Sequence, residues 1–311
     1  MTNETKNFYD AIIIGGGPAG VSAAVYIASR GYKPVILEKE EIGGTVGKVS
    51  SVTHYLSVDN CETGDSFKNK LESQLKVYNI EVLKEDVIEI DLDNLLKKVS
   101  TKSGNIYLGK TIILANGTTP RKLGISGENE LRGKGVCSNP WKEGKEYAGK
   151  DIFVVGGADG AIKEAIYLAQ FAKELSIIHF EDSLGTIAEF KNKLEKLENV
   201  KLYLHSRLTK INGKDKIESL EITDEKTKEV KEIKCGGAGV FVYAGATPNT
   251  EKYNKLELEN GFIKVNSQMK TNIDGVFAAG DICCKDIRQV ATAVSDGTIA
   301  GINAANYLKT V

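Results

Sequence analysis

The sequence predicts an α/β protein made of two doubly wound, three-layer domains. A strand, a glycine-rich turn, a helix and a second strand follow one another near the start, and the same unit recurs mid-chain with the same internal spacing. Short apolar runs that end in glycine, such as Ala11–Ile14, Thr111–Ala115 and Ile152–Val155, read as strands buried on both faces of parallel sheets.

The first unit carries the most chemistry. Ala11–Ile14 is its strand, and Gly15, Gly17 and Gly20 form a G-x-G-x-x-G that opens a helix over Val21–Ser29. Those glycines serve a tight turn, the close approach of backbone to a pyrophosphate, and the packing of helix on strand. Pro18 and Ala19 complete the turn, and the helix N-terminus offers free N–H groups to phosphates. The second strand, Pro34–Leu37, ends at Glu38, placed to bind ribose hydroxyls through its carboxylate. Taken in that order, these features predict a bound adenine dinucleotide.

Residues 43–57 read as loop with a brief strand. Helical spacing through Phe67, Leu71 and Leu75 predicts a helix over Asp65–Tyr78, and strands follow at Glu81–Leu83, Val87–Leu92 and Lys97–Thr101. Polar turns at 118–134 read as a domain boundary. The second unit has its strand at Ile152–Val155, its turn at Gly156–Ala161, its helix over Ala161–Ala172 and a further strand at Leu175–Ile178. Ala238–Tyr243 is another buried strand, and a last helix spans Val290–Tyr307.

Composition narrows the functional classes. A chain of 311 residues, 41% hydrophobic and 27% charged, is a soluble globular protein with room for two domains. A net charge of −1, with both signs mixed along the chain, gives no electrostatic case for nucleic acid or an anionic membrane. No apolar run approaches the ~20 residues that span a bilayer. The polar N-terminus and five cysteines without framework spacing predict a cytoplasmic protein. Three scattered histidines offer no metal spacing.

Further matches identify a family resemblance. Gly15–Gly20 with Glu38, Gly43-Gly44, Thr63-Gly64, Ala115-Asn116-Gly117, Pro248–Thr250, Leu258–Lys264, and Ala278–Asp281 followed by Arg288-Gln289-Val290 resemble the low-molecular-weight thioredoxin reductases over nearly the whole chain. The resemblance implies FAD, a homodimer, and a discontinuous FAD domain, 1–117 with 246–311, interrupted by an NAD(P)-binding-like domain, 118–245. It assigns the flavin to Gly15, Gly17, Pro18, Ala19, Gly20, Glu38, Lys39, Gly44, Thr45, His54, Val87, Ala115, Asn116, Gly117, Gly280, Asp281, Arg288, Gln289 and Val290. In the family the Gly-Asp motif holds the ribityl or phosphate region, and the Arg-Gln pair lies along the isoalloxazine.

Three departures from the family pattern alter the expected function. The Cys-x-x-Cys-Asp-Gly redox segment aligns with Gly135–Gly144, where Asn139 and Lys142 stand in place of the two thiols. The middle glycine of the second turn is Ala158, whose methyl group points where backbone must approach a pyrophosphate. The family's His-Arg-Arg clamp for the NADPH 2′-phosphate reads His179-Phe180-Glu181-Asp182, and a further family arginine falls at Gly185. Two carboxylates there repel a phosphate that arginines would hold.

Few residues are left to carry redox chemistry. Cys283-Cys284 follows the Gly-Asp motif and is either a redox pair beside the flavin or two packed thiols. Adjacent Cα atoms are about 3.8 Å apart, below the ~4.4 Å lower end of ordinary disulfides, so a bond between them would be easily reduced. Cys137, two residues before the first lost cysteine position, is a second candidate thiol; Cys61 and Cys235 read as structural. Trp141 either stacks on the flavin or is a packing anchor between domains, and His54 either moves protons or only hydrogen-bonds.

The expected protein is an FAD-dependent, thioredoxin reductase-like oxidoreductase that takes electrons from a protein donor such as ferredoxin or flavodoxin. An NADH-dependent flavin reductase or oxidase working through Glu181, and a non-catalytic FAD-bound sensor or scaffold, stand as alternatives.

Overall fold

The computed structural model describes residues 7–59 and 61–311. The first stretch forms β1 (Phe8–Ile14), α1 (Pro18–Ala28), β2 (Pro34–Glu38), α2 (Gly64–Val77) and β3 (Glu81–Lys84). It continues through β4 (Val87–Asp91), β5 (Lys97–Thr101), β6 (Ile106–Leu114) and β7 (Thr118–Pro120). The middle stretch holds β8 (Val136–Cys137), α3 (Pro140–Glu143), β9 (Ile152–Val155), α4 (Asp159–Leu168) and β10 (Leu175–Ile178). After α5 (Ala188–Leu194) come β11 (Val200–Tyr203), β12 (Ser206–Gly213), β13 (Ile217–Asp224), β14 (Val230–Lys234) and β15 (Gly239–Val242). The last stretch holds β16 (Ala246–Pro248), β17 (Leu258–Glu259), β18 (Phe262–Ile263), β19 (Val276–Ala278) and α6 (Val290–Leu308).

The chain divides into two compact units. One reaches Gly47 and includes Ser51–Thr119 and Thr247–Val311; the other comprises Lys48–Ser50 and Pro120–Ala246. β7 pairs with β16 in a two-stranded sheet.

In the first unit the sheet runs β3-β2-β1-β6-β5-β4, with β19 also paired to β6. β6 serves two partners because it is long: Ile106–Gly109 pairs antiparallel with β5, and Ile112–Leu114 pairs parallel with β19. The apolar run in β1 feeds both faces, Ile12 and Ile14 entering one core and Ala11 and Ile13 the other. On the second face α6 lies against α1 through small residues. A Cβ on Gly297 would fall 2.1 Å from the Ala19 carbonyl oxygen, so only glycine permits that approach.

The second unit has a parallel sheet in the order β11-β10-β9-β15-β8. One face packs on α4 and α5, and the other on the antiparallel sheet β12-β13-β14 through Leu208, Ile211, Ile217, Leu220 and Ile222. That antiparallel layer was not visible in the sequence. Its strands alternate apolar residues with outward Arg, Lys, Glu and Thr, leaving no continuous apolar run.

Most expected elements shift by a few residues. α1 begins at Pro18, since proline fits the first helical position where its missing N–H is no loss. α2 begins at Gly64 because Thr63 caps it, trading hydrogen bonds with Ser66 in a capping box. α4 starts at Asp159 and stops at Leu168, and β6 extends back to Ile106. The brief strand expected within 43–57 does not form. A 3₁₀ turn occupies Val46–Lys48, and Gly43 and Gly44 take left-handed φ of 103° and 55°, which no extended strand accommodates.

Candidate functional site

The first unit builds its site at the carboxyl end of β1. Gly15 turns the chain at φ 104°, and a Cβ there would lie 2.4 Å from the Ala115 carbonyl oxygen at the end of β6. Gly20 is as tightly constrained: its Cβ would fall 2.0 Å from Gly15 O. Gly17 differs, since a Cβ there meets nothing within 4 Å. It caps α1 without any side-chain hydrogen bond, so no capping side chain takes up the first-turn N–H groups. This cradle matches the shape and polarity of a pyrophosphate berth.

Glu38 anchors the far side. Its Oε2 accepts from Gly16 N at 2.7 Å and its Oε1 from Glu40 N at 2.8 Å, which aims the carboxylate at the turn. Each oxygen keeps lone-pair capacity for ribose hydroxyls. Gly43 N donates to Gly16 O at 2.8 Å, and a Cβ on Gly44 would lie 3.4 Å from Gly17 Cα, so this segment lines the berth. Lys39 and Thr45 are exposed at its rim. Glu85 N donates to Glu38 O at 2.9 Å, which brings the start of β4 and Val87 beside the end of β2.

The loop after β19 closes the other end. A Cβ on Gly280 would lie 2.8 Å from Ala19 Cβ, so this loop meets the start of α1. Asp281 Oδ1 is buried without a hydrogen-bond partner, and burial pushes the carboxyl above its usual range against the opposing pull of Lys285 and Arg288. An orphaned carboxylate oxygen at a dinucleotide turn fits a missing hydroxyl donor. Arg288 donates to Asp281 O and Cys283 O, both at 3.3 Å, and its guanidinium lies 4.0 Å from the Phe262 ring centroid. Gln289 caps α6 at Val290 through a box with Thr292.

Asn116 is held from three sides. It donates to Asn249 O at 3.0 Å, its carbonyl accepts from Asn249 Nδ2, and its Oδ1 accepts from Tyr253 OH at 2.9 Å. Gly117 O accepts from Asn249 N at 3.1 Å. His54 sits in left-handed backbone at φ 58°, with Tyr55 edge-on to Phe67 at 5.7 Å. The sequence reading touched Phe262 only as part of the Leu258–Lys264 match and missed Lys285 and Asp296; the one available signal for those two was an aspartate amid the small residues of α6.

The second unit repeats the turn with other chemistry. Gly156, at φ 132°, would place a Cβ 2.5 Å from Tyr243 O, as Gly15 does against Ala115 O. Ala158 caps α4 at φ −85° and ψ 172°, close to the −74° and −179° of Gly17. Its methyl group therefore occupies the direction that is open over Gly17. Beyond β10, the buried His179 ring lies over Gly157, its Nε2 3.2 Å from Glu181 Oε2 and its Nδ1 unpartnered. Phe180 carries the Arg207 guanidinium 4.4 Å from its ring centroid, and Arg207 Nε also pairs with Glu225 at 3.2 Å. Asp182 pairs with His205 Nδ1 at 2.7 Å, and Lys226 Nζ meets His205 Nε2 at 2.8 Å. The cations at this strand end are thus engaged by protein groups.

The segment over 138–143, where the resemblance leads one to expect the dithiol, is a capped turn. Asn139 Oδ1 accepts from Lys142 N at 3.1 Å, and Glu143 Oε2 accepts from Ser138 N and Asn139 N. Trp141 packs on Tyr167 of α4 at 5.7 Å between centroids. All five cysteines are free. Burial pushes the Cys137, Cys235 and Cys283 thiols up to about 12, so none of the three is a ready nucleophile at neutral pH. Cys284 is half-buried and Cys61 exposed. Among the described residues no cluster of three metal-ligating side chains occurs, and no helix is long and apolar enough to cross a membrane.

Comparison with known proteins agrees with this geometry. Residues 9–297 match the family model described as pyridine nucleotide-disulphide oxidoreductase. The chain is similar to the thioredoxin reductase of Peptoclostridium acidaminophilum, 35% identical over 310 residues that cover 98% of each protein. Among solved structures it resembles Lactococcus lactis thioredoxin reductase in its FR conformation, with TM-score 0.92 and 33% identity over 97% of this chain and 100% of that one. It also resembles a ferredoxin-flavin thioredoxin reductase from Clostridium acetobutylicum, with TM-score 0.54 and 26% identity over 98% and 99% of the two chains.

Proposed function

We infer, for a chain that belongs to the pyridine nucleotide-disulphide oxidoreductase family and is an FAD-dependent, thioredoxin reductase-like enzyme, that its electrons come from a protein donor and not from NADPH. The donor class is a ferredoxin or flavodoxin. One observation carries the reading: the second turn keeps its backbone and loses its nucleotide chemistry. Ala158 places a methyl group in the berth, and Phe180, Glu181 and Gly185 offer a 2′-phosphate no cation. The ferredoxin-flavin enzyme of C. acetobutylicum, similar along the whole chain, supports the donor class.

In this reading FAD is held in the first unit. Gly15, Gly17, Pro18, Ala19 and Gly20 take its pyrophosphate, and Glu38 its ribose, with Lys39, Gly44 and Thr45 at the rim. Gly280 and Asp281 take the ribityl or phosphate region. Val87, His54, Ala115, Asn116, Gly117, Arg288, Gln289 and Val290 enclose the remainder. When bound, the flavin supplies one- and two-electron transfer. Relatives named thioredoxin reductase support a redox protein such as thioredoxin as acceptor. Asn139 and Lys142 close the usual thiol route, which leaves Cys283, Cys284 and Cys137 as candidate thiols. The family resemblance and five free cysteines support a cytoplasmic homodimer.

A second reading keeps the second unit as an NADH site. Glu181, with 56% of its side chain exposed and one oxygen near His179, offers a carboxylate for a ribose at that strand end. Anaerobic mixing of the oxidised protein with NADPH, NADH and reduced ferredoxin separates the readings by the rate of flavin bleaching. Rapid bleaching by ferredoxin alone supports the first reading. Rapid bleaching by NADH alone promotes the second, and rapid bleaching by NADPH overturns both.

A further inference from the structure

Beside the FAD berth, a lysine stands between two carboxylates and bonds to only one. Lys285 Nζ is 2.8 Å from Asp296 Oδ2 and 3.9 Å from Asp281 Oδ1, the buried oxygen that has no hydrogen-bond partner. Asp296 Oδ2 also accepts from Gly280 N at 3.1 Å, so the same atom fixes the backbone immediately before Asp281. The Lys285 and Asp296 side chains are only 17% and 13% exposed, so water screens this arrangement weakly.

We propose that Asp296 is a positioning residue for FAD: by holding Lys285 it keeps Asp281 Oδ1 open to a hydroxyl of the cofactor. This rests on the reading that Asp281 meets FAD. A lysine released from Asp296 has Asp281 as its nearest carboxylate, and an ammonium seated there would take the site a cofactor O–H needs. Removing the lysine does different harm. Asp281 and Asp296 would then repel each other, with Arg288, whose Nε and Nη2 donate to the carbonyls of Asp281 and Cys283, as the remaining cation. Losing both partners removes the competitor and the repulsion together.

The variants should therefore show a non-additive pattern that general loosening of the fold does not produce. FAD dissociation from the purified holoenzyme, followed by the fluorescence of released cofactor, is measured for Asp296→Asn, Lys285→Met, Lys285→Arg, the double variant Lys285→Met/Asp296→Asn, and Asp281→Ala. Asp296→Asn and Lys285→Met should each weaken FAD binding about tenfold, the scale of one charge-assisted hydrogen bond. Lys285→Arg should retain near-native binding, and the double variant should bind more tightly than either single variant. A double variant weaker than both singles, or an Asp296→Asn protein that keeps native affinity while Asp281→Ala loses its FAD, would overturn the proposal. An Asp281→Ala protein that keeps its FAD would overturn the underlying reading and this proposal with it.

Discussion

The two strand–turn–helix units share a backbone and differ in what they present to a ligand. Gly17 and Ala158 hold nearly the same dihedral angles, and Gly15 and Gly156 each press against a neighbouring strand's carbonyl. At the end of the second strand the likeness stops. In the first unit Glu38 is bound to two backbone N–H groups and faces the turn. In the second, an imidazole lies over Gly157 and the following residues are Phe180, Glu181 and Asp182. Packing between strand and helix preserves the turn because it belongs to the core. Ligand chemistry sits on side chains at the strand ends and loops, outside the strand–helix packing that fixes the turn, so it changes while the turn is kept.

The sharpest way to break the comparison is to make the first turn like the second. Gly17→Val should give a folded protein that purifies colourless, with FAD affinity lowered by more than about a hundredfold, because the side chain fills the open berth. Absorbance of the purified protein checks this, and circular dichroism confirms folding. A yellow Gly17→Val protein would remove the first turn from the FAD site.

A smaller effect is expected on transfer to thioredoxin, which needs an attacking thiolate and a resolving thiol. Chemically reduced enzyme should reduce thioredoxin poorly, and residual activity should vanish in a Cys283→Ser/Cys284→Ser variant that retains FAD. The state of the thiols sharpens this. Burial disfavours the thiolate, so Cys137, Cys235 and Cys283, raised to about 12, stay protonated at pH 8. Alkylation of the native protein at pH 8 should modify Cys61 first and spare those three until denaturant is added; mass spectrometry gives the order. Rapid native alkylation of Cys137 would restore it as a redox candidate.

The smallest expected change is structural. Asn139→Ala removes the cap from the short helix α3, at a cost of about 1 kcal/mol. The thermal midpoint should fall by about 2–4 °C with FAD content unchanged. A loss of FAD in this variant would mean that the segment does more than cap itself.

Legibility in the sequence followed burial. Ala11–Ile14, Ile152–Val155 and Leu175–Ile178 were readable because both sheet faces are covered and the apolar residues run unbroken. β12 to β14 were not, because one face is wet and charged residues interrupt the pattern. The FAD turn was readable because glycine spacing records backbone geometry directly. Asp296 was not, because its proposed role comes from a contact with Gly280 and Lys285 that only the fold creates. The fates of Asn139 and Lys142 were half legible. That neither position is a cysteine is written in the sequence, whereas the capped turn formed there depends on Glu143 reaching back to two backbone N–H groups.

The central claim is that the second unit no longer takes NADPH, and calorimetric titration of the oxidised protein with NADP⁺ tests it most directly. The native chain should show no saturable binding below about 1 mM. Ala158→Gly/Phe180→Arg/Glu181→Arg, which returns the open berth and two cations, should bind at least about tenfold more tightly. Micromolar binding by the native chain, unchanged in the triple variant, would contradict the account.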